Sequence, residues 1–161
     1  MCTFLPRGGA PPSTVPAERK NSDLRLSDYL IWEYPLRAMK VVKPSADHMT
    51  PRGVVGHHEV SQATTGAENI YMGVFRVPPG AQSMPHYHAD CESAVFMLSG
   101  HLNVRWGEGL EHALSLEPGD MVYVPPRETH LLENPSEEEP AEYVVARDAP
   151  EEDSVEVPWA T

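Results

Sequence analysis

From Gly53 onward the chain alternates between apolar and polar positions in short runs, each bounded by Gly, Pro or Asn. The runs are NIYMGVFRVPPG, SAVFMLSGHLNVRWGEG, EHALSLEPGDMVYVPP, THLLENP and AEYVVARD. Successive side chains of a strand point to opposite faces, so this pattern predicts strands with one face in a core. Stretches 106–109 and 117–120 have the composition of tight turns. We therefore predict an all-β domain, a small antiparallel barrel or sandwich. Most of its core should come from Phe96, Met97, Leu98, Leu102, Val104, Trp106, Val122 and Val124.

The two ends of the chain differ from this region. Residues 1 to about 23 are rich in Pro, Gly, Ser and charge, which predicts little fixed structure. Residues 24–42 are more apolar and fit either a short helix from Ser27 or an arm that packs on a neighbour. We divide the chain into a partly disordered N-terminal arm (1–38), a β-barrel (39–150) and an acidic tail (151–161). The apolar side chains of the tail should pin it to the barrel; they are Val155, Val157 and Trp159.

Composition narrows the partners and the compartment. The 161 residues carry a formal net charge of -12, which repels nucleic acid and anionic lipid surfaces. No apolar run approaches the roughly 18 residues that indicate a membrane span. The two cysteines, Cys2 and Cys91, are interpreted as free thiols, because a disulfide between them would tie the flexible N-terminal tail to the domain. These observations predict a cytoplasmic protein that binds neither nucleic acid nor membrane.

The stretch PHYHADCE, residues 85–92, gathers side chains that carry chemistry. On a strand His86 and His88 share a face, where they can bind the same cation. A bend could bring the Glu92 carboxylate to that ion, and His130 is a further imidazole downstream. Three nitrogens and one oxygen suit Fe, Mn, Co, Ni or Zn better than Ca or Mg. They would leave positions open for substrate, water or dioxygen. The competing interpretation is that the two histidines are paired by chance.

A wider pattern decides between these interpretations. In the first block Gly80 is followed by His86-x-His88, three residues, Glu92, seven residues and then Gly100; a second block has Gly119, Pro125, His130 and Asn134. The two blocks resemble the two motifs of the cupin superfamily, over residues 66–148. The resemblance implies a small antiparallel β-barrel or jelly roll. It also implies one divalent transition metal per chain (Fe, Mn, Ni, Cu or Zn), held by His86, His88, Glu92 and His130.

The chain departs from the cupin motifs at two positions. Seven residues rather than six separate Glu92 from Gly100, and a displaced Glu92 would leave the usual place of the ligand to Ser93. We nevertheless keep Glu92 as a predicted ligand. Arg127 stands where the second motif has glycine, which implies either a different turn or backbone strain of about 1 kcal/mol.

Four residues are candidates for the substrate pocket, each with a plainer alternative. Arg127 could attract an anionic substrate at the barrel mouth or be an exposed turn residue. Cys91 could be a reactive thiol or a buried one that only packs. Phe96 and Tyr123 could line the pocket or pack on sheet faces.

The resemblance implies a metal-dependent enzyme that acts on a small organic molecule, with an oxygenase of the dioxygenase type as the leading hypothesis. The alternatives are an isomerase or lyase that uses the metal as a Lewis acid, and a non-catalytic module that binds a metal or a small ligand. We also predict a homodimer, in which the apolar segment 24–42 covers the partner or the barrel edge.

Overall fold

The structure is a computed structural model that describes residues 39–151 and 153–158. The predicted arm over 1–38, Glu152 and Trp159 lie outside the described residues. The described part contains eleven strands and one short helix. They are β1 (His48–Met49), β2 (Val55–Val60), α1 (Gln62–Thr65), β3 (Tyr71–Val77), β4 (His86–Tyr87), β5 (Ser93–Ser99), β6 (Leu102–Trp106), β7 (His112–Leu116), β8 (Met121–Val124), β9 (His130–Glu133), β10 (Ala141–Arg147) and β11 (Val155–Glu156).

The strands form two antiparallel sheets, as the alternation predicts. One sheet has the order β1-β2-β3-β10-β5-β8 and the other the order β11-β4-β9-β6-β7. Side chains of both sheets make one apolar cluster, which includes Phe75 and Val95 from the first sheet and Leu102 and Leu132 from the second. The core therefore lies between the sheets. α1, the one described helix, has four residues and is far too short to cross a membrane.

Turns at the predicted places join the strands. Leu110 N donates to Gly107 O across 3.1 Å between β6 and β7, and Asp120 N donates to Glu117 O across 3.0 Å before β8. Gly107 and Gly119 both have positive φ, 102° and 98°, which is the left-handed region that glycine enters without a steric cost. The glycines of the two predicted turns are therefore required by the backbone.

The strand alternation corrects part of the predicted core. On β5 the residues Val95 and Met97 are buried, whereas Phe96 and Leu98 are exposed. The reason is the phase of the strand: β5 begins with the buried Ser93, so its even-numbered residues point outward. Several predicted core residues are buried as expected: Met97, Leu102, Val104 and Val124.

Exposed apolar side chains cluster on the outer face of the six-stranded sheet. Phe96 lies beside Met121 of β8 and beside Val144 of β10, and Met72 of β3 lies beside Ala146 of β10. The large exposed members are Met72, Phe96, Leu98, Met121 and Tyr123, which we call the outer apolar face. It spans neighbouring strands, so it is one surface and not a scatter of single residues.

The acidic tail adds a strand to the second sheet. β11 pairs with β4, Val155 opposite Tyr87 and Glu156 opposite His86, and Val157 N donates to Pro85 O across 2.9 Å. Val155 and Val157, two of the three residues that the sequence predicts to pin the tail, therefore lie next to the strand that carries His86.

Candidate metal centre

Three histidines meet between the sheets. His86 on β4 and His130 on β9 occupy paired positions of adjacent strands, and His88 follows His86 on the same face. One ring nitrogen of each lies within 4.8 Å of one ring nitrogen of each of the other two. All three are buried, with exposures of 3%, 3% and 6% for His86, His88 and His130. The structure therefore brings together the three histidines that the sequence predicts as ligands.

Backbone carbonyl groups fix how each ring is turned. The Nδ1 atoms of His86 and His130 donate to the carbonyl oxygens of Met84 and Glu128, both across 2.8 Å. His88 Nδ1 donates to Asp153 O across 2.5 Å. A carbonyl can only accept, so the proton of each neutral ring lies on Nδ1 and the lone pair on Nε2. Nε2 is consequently the atom that each histidine offers to a metal.

Burial keeps the three rings neutral. It is the main cause that lowers the pKa of His86 to about 2, of His88 to about 3 and of His130 to about 4. The neighbouring positive groups add to this effect, Arg52 at His86 and Arg147 at His88. At neutral pH the rings need not lose a proton before they bind a metal.

Two arginines that sequence reasoning missed lie beside these histidines. Arg52 Nη1 is 3.3 Å from His86 Nε2, and Arg147 Nη2 is 3.4 Å from His88 Nε2. Both arginines are buried, with exposures of 4% and 7%. The Arg147 guanidinium also contacts the Tyr71 ring, and its Nε donates to Ser93 Oγ across 3.2 Å. The histidine cluster is thus flanked by two guanidinium groups.

The sequence carried a signal for one of these arginines. Arg147 ends β10 in the same phase as the buried Tyr143 and Val145, so strand alternation alone puts it inside. Arg52 has no such signal, because it lies in the loop before β2. Its position depends on a long-range contact, in which Met84 N donates to Arg52 O across 2.9 Å.

Glu92, the fourth predicted ligand, lies apart from the three histidines in this structure. Glu92 is exposed, and its carboxylate accepts a hydrogen bond from Tyr123 Oη at 2.6 Å. The inward place in the first motif belongs to Ser93, which is 3% exposed. The extra residue before Gly100 explains this, because a shift of one residue along a strand turns a side chain to the opposite face. Among the described residues, the centre therefore consists of three histidines without a carboxylate.

Arg127 is placed as an exposed turn residue. Its φ is +63°, so the arginine adopts the left-handed conformation that the usual glycine would have. Its amide donates to His88 O across 2.7 Å, and its side chain, 74% exposed, reaches Ala89 O and Asp90 Oδ1. The backbone of Arg127 thus supports the segment after His88, while its guanidinium points away from the histidines.

The other three pocket candidates fall into different places. Phe96 is on the outer apolar face, which corrects its assignment to the pocket. Cys91 is buried, and burial raises the pKa of its thiol, as is typical of a cysteine that packs in a core. Tyr123 is exposed on that face but also borders a cavity next to His130.

Two cavities adjoin the histidines. The inner one has a volume of about 30 Å³ and contains the three histidines, both buried arginines and Ser93 in its wall. The outer one has a volume of about 240 Å³. Its wall is mainly apolar and consists of Val104, Trp106, Leu114, Val122, Tyr123, Val124, Pro125, Glu128 and His130. A small molecule can therefore approach the cluster from the side of His130.

These residues fit a divalent transition metal. Three neutral imidazoles with fixed tautomers present their Nε2 atoms to one another, and imidazole suits Zn, Cu, Fe and Ni. Three protein ligands leave coordination positions open, as in catalytic centres and unlike closed structural sites. Since none of the three ligands is charged, the ion would keep its full positive charge.

Comparison with known proteins identifies the fold. Residues 73–147 match the family model described as a cupin domain. None of the curated proteins compared with the sequence is a match. The similar solved structures include Mn(II)-containing oxalate decarboxylase from Bacillus subtilis (22% identity, TM-score 0.55) and oxalate decarboxylase from Lactobacillus farciminis in complex with formate (17%, 0.59). An oxalate oxidase structure is also similar (21%, 0.58).

The matches are partial in length. They cover 63%, 70% and 67% of this chain, but only 28% and 33% of the two decarboxylases and 57% of the oxidase. At these identities the likeness is one of fold. The chain thus corresponds to about a third of the decarboxylase chains and just over half of the oxidase.

Proposed function

The chain belongs to the cupin superfamily, and from that premise we propose that it is a metal-dependent enzyme that oxygenates a small organic anion. The observation that carries this proposal is the set of three buried, neutral histidines whose Nε2 atoms converge beside a cavity with an apolar wall. A structural metal would need a closed set of ligands, and three histidines leave the set open. A divalent metal bound there would supply a Lewis acid and open positions for substrate and dioxygen.

The residues of the chain have distinct tasks in this proposal. His86, His88 and His130 hold the metal, and the carbonyl groups of Met84, Asp153 and Glu128 keep their rings in place. Arg52 and Arg147 lie at 3.3 Å and 3.4 Å from the Nε2 atoms of His86 and His88 and help to hold these rings in position. The apolar side chains of the outer cavity exclude water from the reacting atoms.

The test is a comparison of metals and of oxygen consumption. The full chain is loaded separately with Fe(II), Mn(II), Ni(II), Cu(II) and Zn(II), and bound metal is measured per chain. An oxygen electrode then follows a panel of carboxylates, enols and phenols. We expect one metal per chain, and substrate-dependent oxygen uptake with a redox-active metal and none with zinc. His88→Ala, which lacks a ligand, should show neither.

Two other results would replace the proposal. Turnover without oxygen uptake, equally fast with zinc, would make the protein an isomerase or lyase that uses the metal as a Lewis acid. Metal binding without turnover of any compound would favour a non-catalytic binding module.

We further propose that the protein is a homodimer in which the outer apolar face is covered by the partner. This face presents Phe96, Leu98 and Met121 on adjacent strands, and a soluble monomer rarely exposes so continuous an apolar surface. The strands β3, β10, β5 and β8 are neighbours in one sheet, so their outer side chains form a continuous surface on which a second sheet can pack.

A further inference from the structure

The three histidines of the centre are not held in the same way. His86 and His130 each donate the Nδ1 proton to the carbonyl oxygen of the residue two positions earlier in the chain. These two acceptors lead directly into the strand of the histidine, so they form together with the barrel. His88 instead donates to a carbonyl oxygen 65 positions away, that of Asp153 in the C-terminal tail. The orientation of the His88 ring therefore depends on whether the tail is in place.

The tail segment 153–157 is attached to the barrel by few contacts. Its strand β11 is two residues long and pairs with β4 at the edge of the second sheet. After this strand, Val157 N donates to Pro85 O across 2.9 Å. None of the five side chains of the segment is fully buried, and three of them are exposed. Since the segment buries little apolar surface, it can detach at a small cost in free energy.

The chain that leads into this segment is anchored separately. Asp148 Oδ1 accepts a hydrogen bond from Glu92 N across 2.8 Å, and Pro150 O accepts one from Gln62 N across 2.7 Å. Neither bond involves segment 153–157. The segment can therefore leave β4 while the barrel keeps its fold.

Detachment of the tail would disturb a metal ligand. Nε2 is the atom that His88 offers to a metal, and the bond from Nδ1 to Asp153 O fixes the plane of the ring. Without this acceptor the Nδ1–H group would lack its partner, or the ring would turn to find another one. The metal affinity should then fall by roughly 10- to 100-fold, as it does when an outer partner of a ligating histidine is lost.

We propose that the Asp153 carbonyl is a positioning group of the metal centre, and that docking of the tail and binding of the metal strengthen each other. The docked tail directs His88 Nε2 at the ion, and the bound ion holds the ring in the orientation whose Nδ1 donates to Asp153 O. Such a coupling acts by the same factor in both directions. Anything that holds the tail away from β4 therefore weakens metal binding. The inference rests on the proposed function only for the presence of the metal.

Two proline variants of the full chain test the effect of the tail on the metal. Val157→Pro removes the N–H group that donates to Pro85 O and should release the segment. Glu156→Pro is the matched control, because alternate residues of an antiparallel edge strand bond to the neighbour, so the Glu156 N–H group points away from β4.

Zinc affinity, measured by competition with a chelator, is the first readout of these variants. We expect Val157→Pro to bind zinc at least roughly tenfold more weakly than the unchanged chain, and Glu156→Pro to stay within about threefold of it. Equal zinc affinities in Val157→Pro and the unchanged chain would contradict the proposal.

The Nδ1 protons of the metal-free protein report on the rings directly. A buried proton that is bonded to a carbonyl oxygen exchanges slowly with water, so it gives its own signal in proton NMR of a chain with ¹⁵N-labelled histidine. We expect Val157→Pro to lose the signal of His88 and to keep those of His86 and His130, which are internal controls for the fold. Glu156→Pro should keep all three signals. A His88 signal that persists in Val157→Pro would overturn the role of the Asp153 carbonyl.

The unchanged chain tests the reverse direction, from the metal to the tail. A Glu-specific endoproteinase cleaves after Glu156 only while the tail is detached, so the rate of cleavage follows the detached population. Bound zinc should slow this cleavage at least roughly tenfold, by the same factor as the affinity. His88→Ala should show no such protection. Equal rates of cleavage of the unchanged chain with and without zinc, followed by mass spectrometry, would contradict the coupling.

Failure of the proposed function gives a different result. If zinc does not bind in a one-to-one ratio, the metal enzyme is wrong. The NMR signals of the metal-free chain then still decide whether the Asp153 carbonyl holds His88, because they do not depend on a metal. Selective loss of the His88 signal in Val157→Pro would support the positioning role even in that case.

Discussion

Histidine and arginine occur on both sides of the barrel wall, and their surroundings differ. Inside, His130 is neutral and bound to a backbone carbonyl, and Arg147 contacts an aromatic ring and a histidine. Outside, His101 Nδ1 contacts Glu117 Oε2 at 2.7 Å and Arg127 forms an ion pair with Asp90, with every side chain more than half exposed. Pairs of exposed charged side chains contribute little to the free energy of unfolding, because water screens their attraction. The comparison teaches that burial, more than residue type, decides which of these side chains can do chemistry.

The largest effect should come from removing an inner histidine. His88→Ala deletes one of three ligands, and we expect the affinity for zinc to fall by about 100-fold or more, beyond what loss of an outer-shell partner costs. Dialysis followed by metal analysis measures this. His101→Ala, an exposed histidine, is the control and should bind zinc as the unchanged chain does.

Glu92 provides a second test of the difference between the buried histidines and the exposed side chains. Glu92→Gln should keep its zinc, because the carboxylate lies outside and accepts from Tyr123. A loss of zinc comparable with that of His88→Ala would mean that Glu92 reaches the ion as the fourth ligand.

The second effect is the pH dependence of the free energy of unfolding of the metal-free protein. The pKa values of the inner histidines in the folded state, about 2, 3 and 4, lie below the 6.5 of an exposed histidine. Below about pH 6.5 the unfolded chain therefore binds more protons, and the free energy of unfolding falls as the pH falls. Each neutral histidine should add a slope of roughly 1.4 kcal/mol per pH unit.

Urea unfolding at pH 8, 6 and 5 checks this prediction. Carboxylates also titrate near pH 5, so the informative quantity is the difference from His88→Ala, whose slope should be shallower by one histidine. His101→Ala should keep the full slope. Parallel curves for the unchanged chain and His88→Ala would show that His88 is not buried in its neutral form.

A smaller effect, on dimer affinity, is expected from a substitution in the outer apolar face. Phe96→Lys puts a charge into the outer apolar face and should weaken the proposed dimer by roughly 30-fold or more, the effect of losing an interface hot spot. Analytical ultracentrifugation over a range of concentrations measures the change. Ser115→Lys, exposed on the other sheet, is the matched control. A monomer in the unchanged chain at all concentrations would contradict the dimer.

The sequence predicts some parts of this molecule well for a physical reason. The all-β fold, the turns and the shared face of His86 and His88 follow from alternation and from local turn chemistry, which nearby residues determine. The approach of His130 is a long-range pairing, which only the resemblance to the cupin motifs predicts. The exposed position of Glu92 depends on the phase of β5. An extra residue before Gly100 reverses that phase, so that Ser93 points inward. Arg52 and the Asp153 carbonyl could not be predicted, because long-range contacts bring a loop and the tail to the centre.

The smallest effect concerns Arg127, on the exposed side. Its φ of +63° is strained for arginine. Arg127→Gly removes that strain and keeps the hydrogen bond that the backbone amide of residue 127 donates to His88 O. We expect this variant to be more stable by roughly 1 kcal/mol, less the small contribution of the exposed pair with Asp90. Arg127→Ala loses the same side chain but keeps a Cβ, so Arg127→Gly should be the more stable of the two in urea unfolding. Zinc binding should change in neither, because the guanidinium of Arg127 reaches Ala89 O and Asp90 Oδ1 and not the histidines. A raised apparent KM for an anionic substrate in both variants, at low salt, would instead place Arg127 at the mouth of the site, which is the other role that the sequence leaves open.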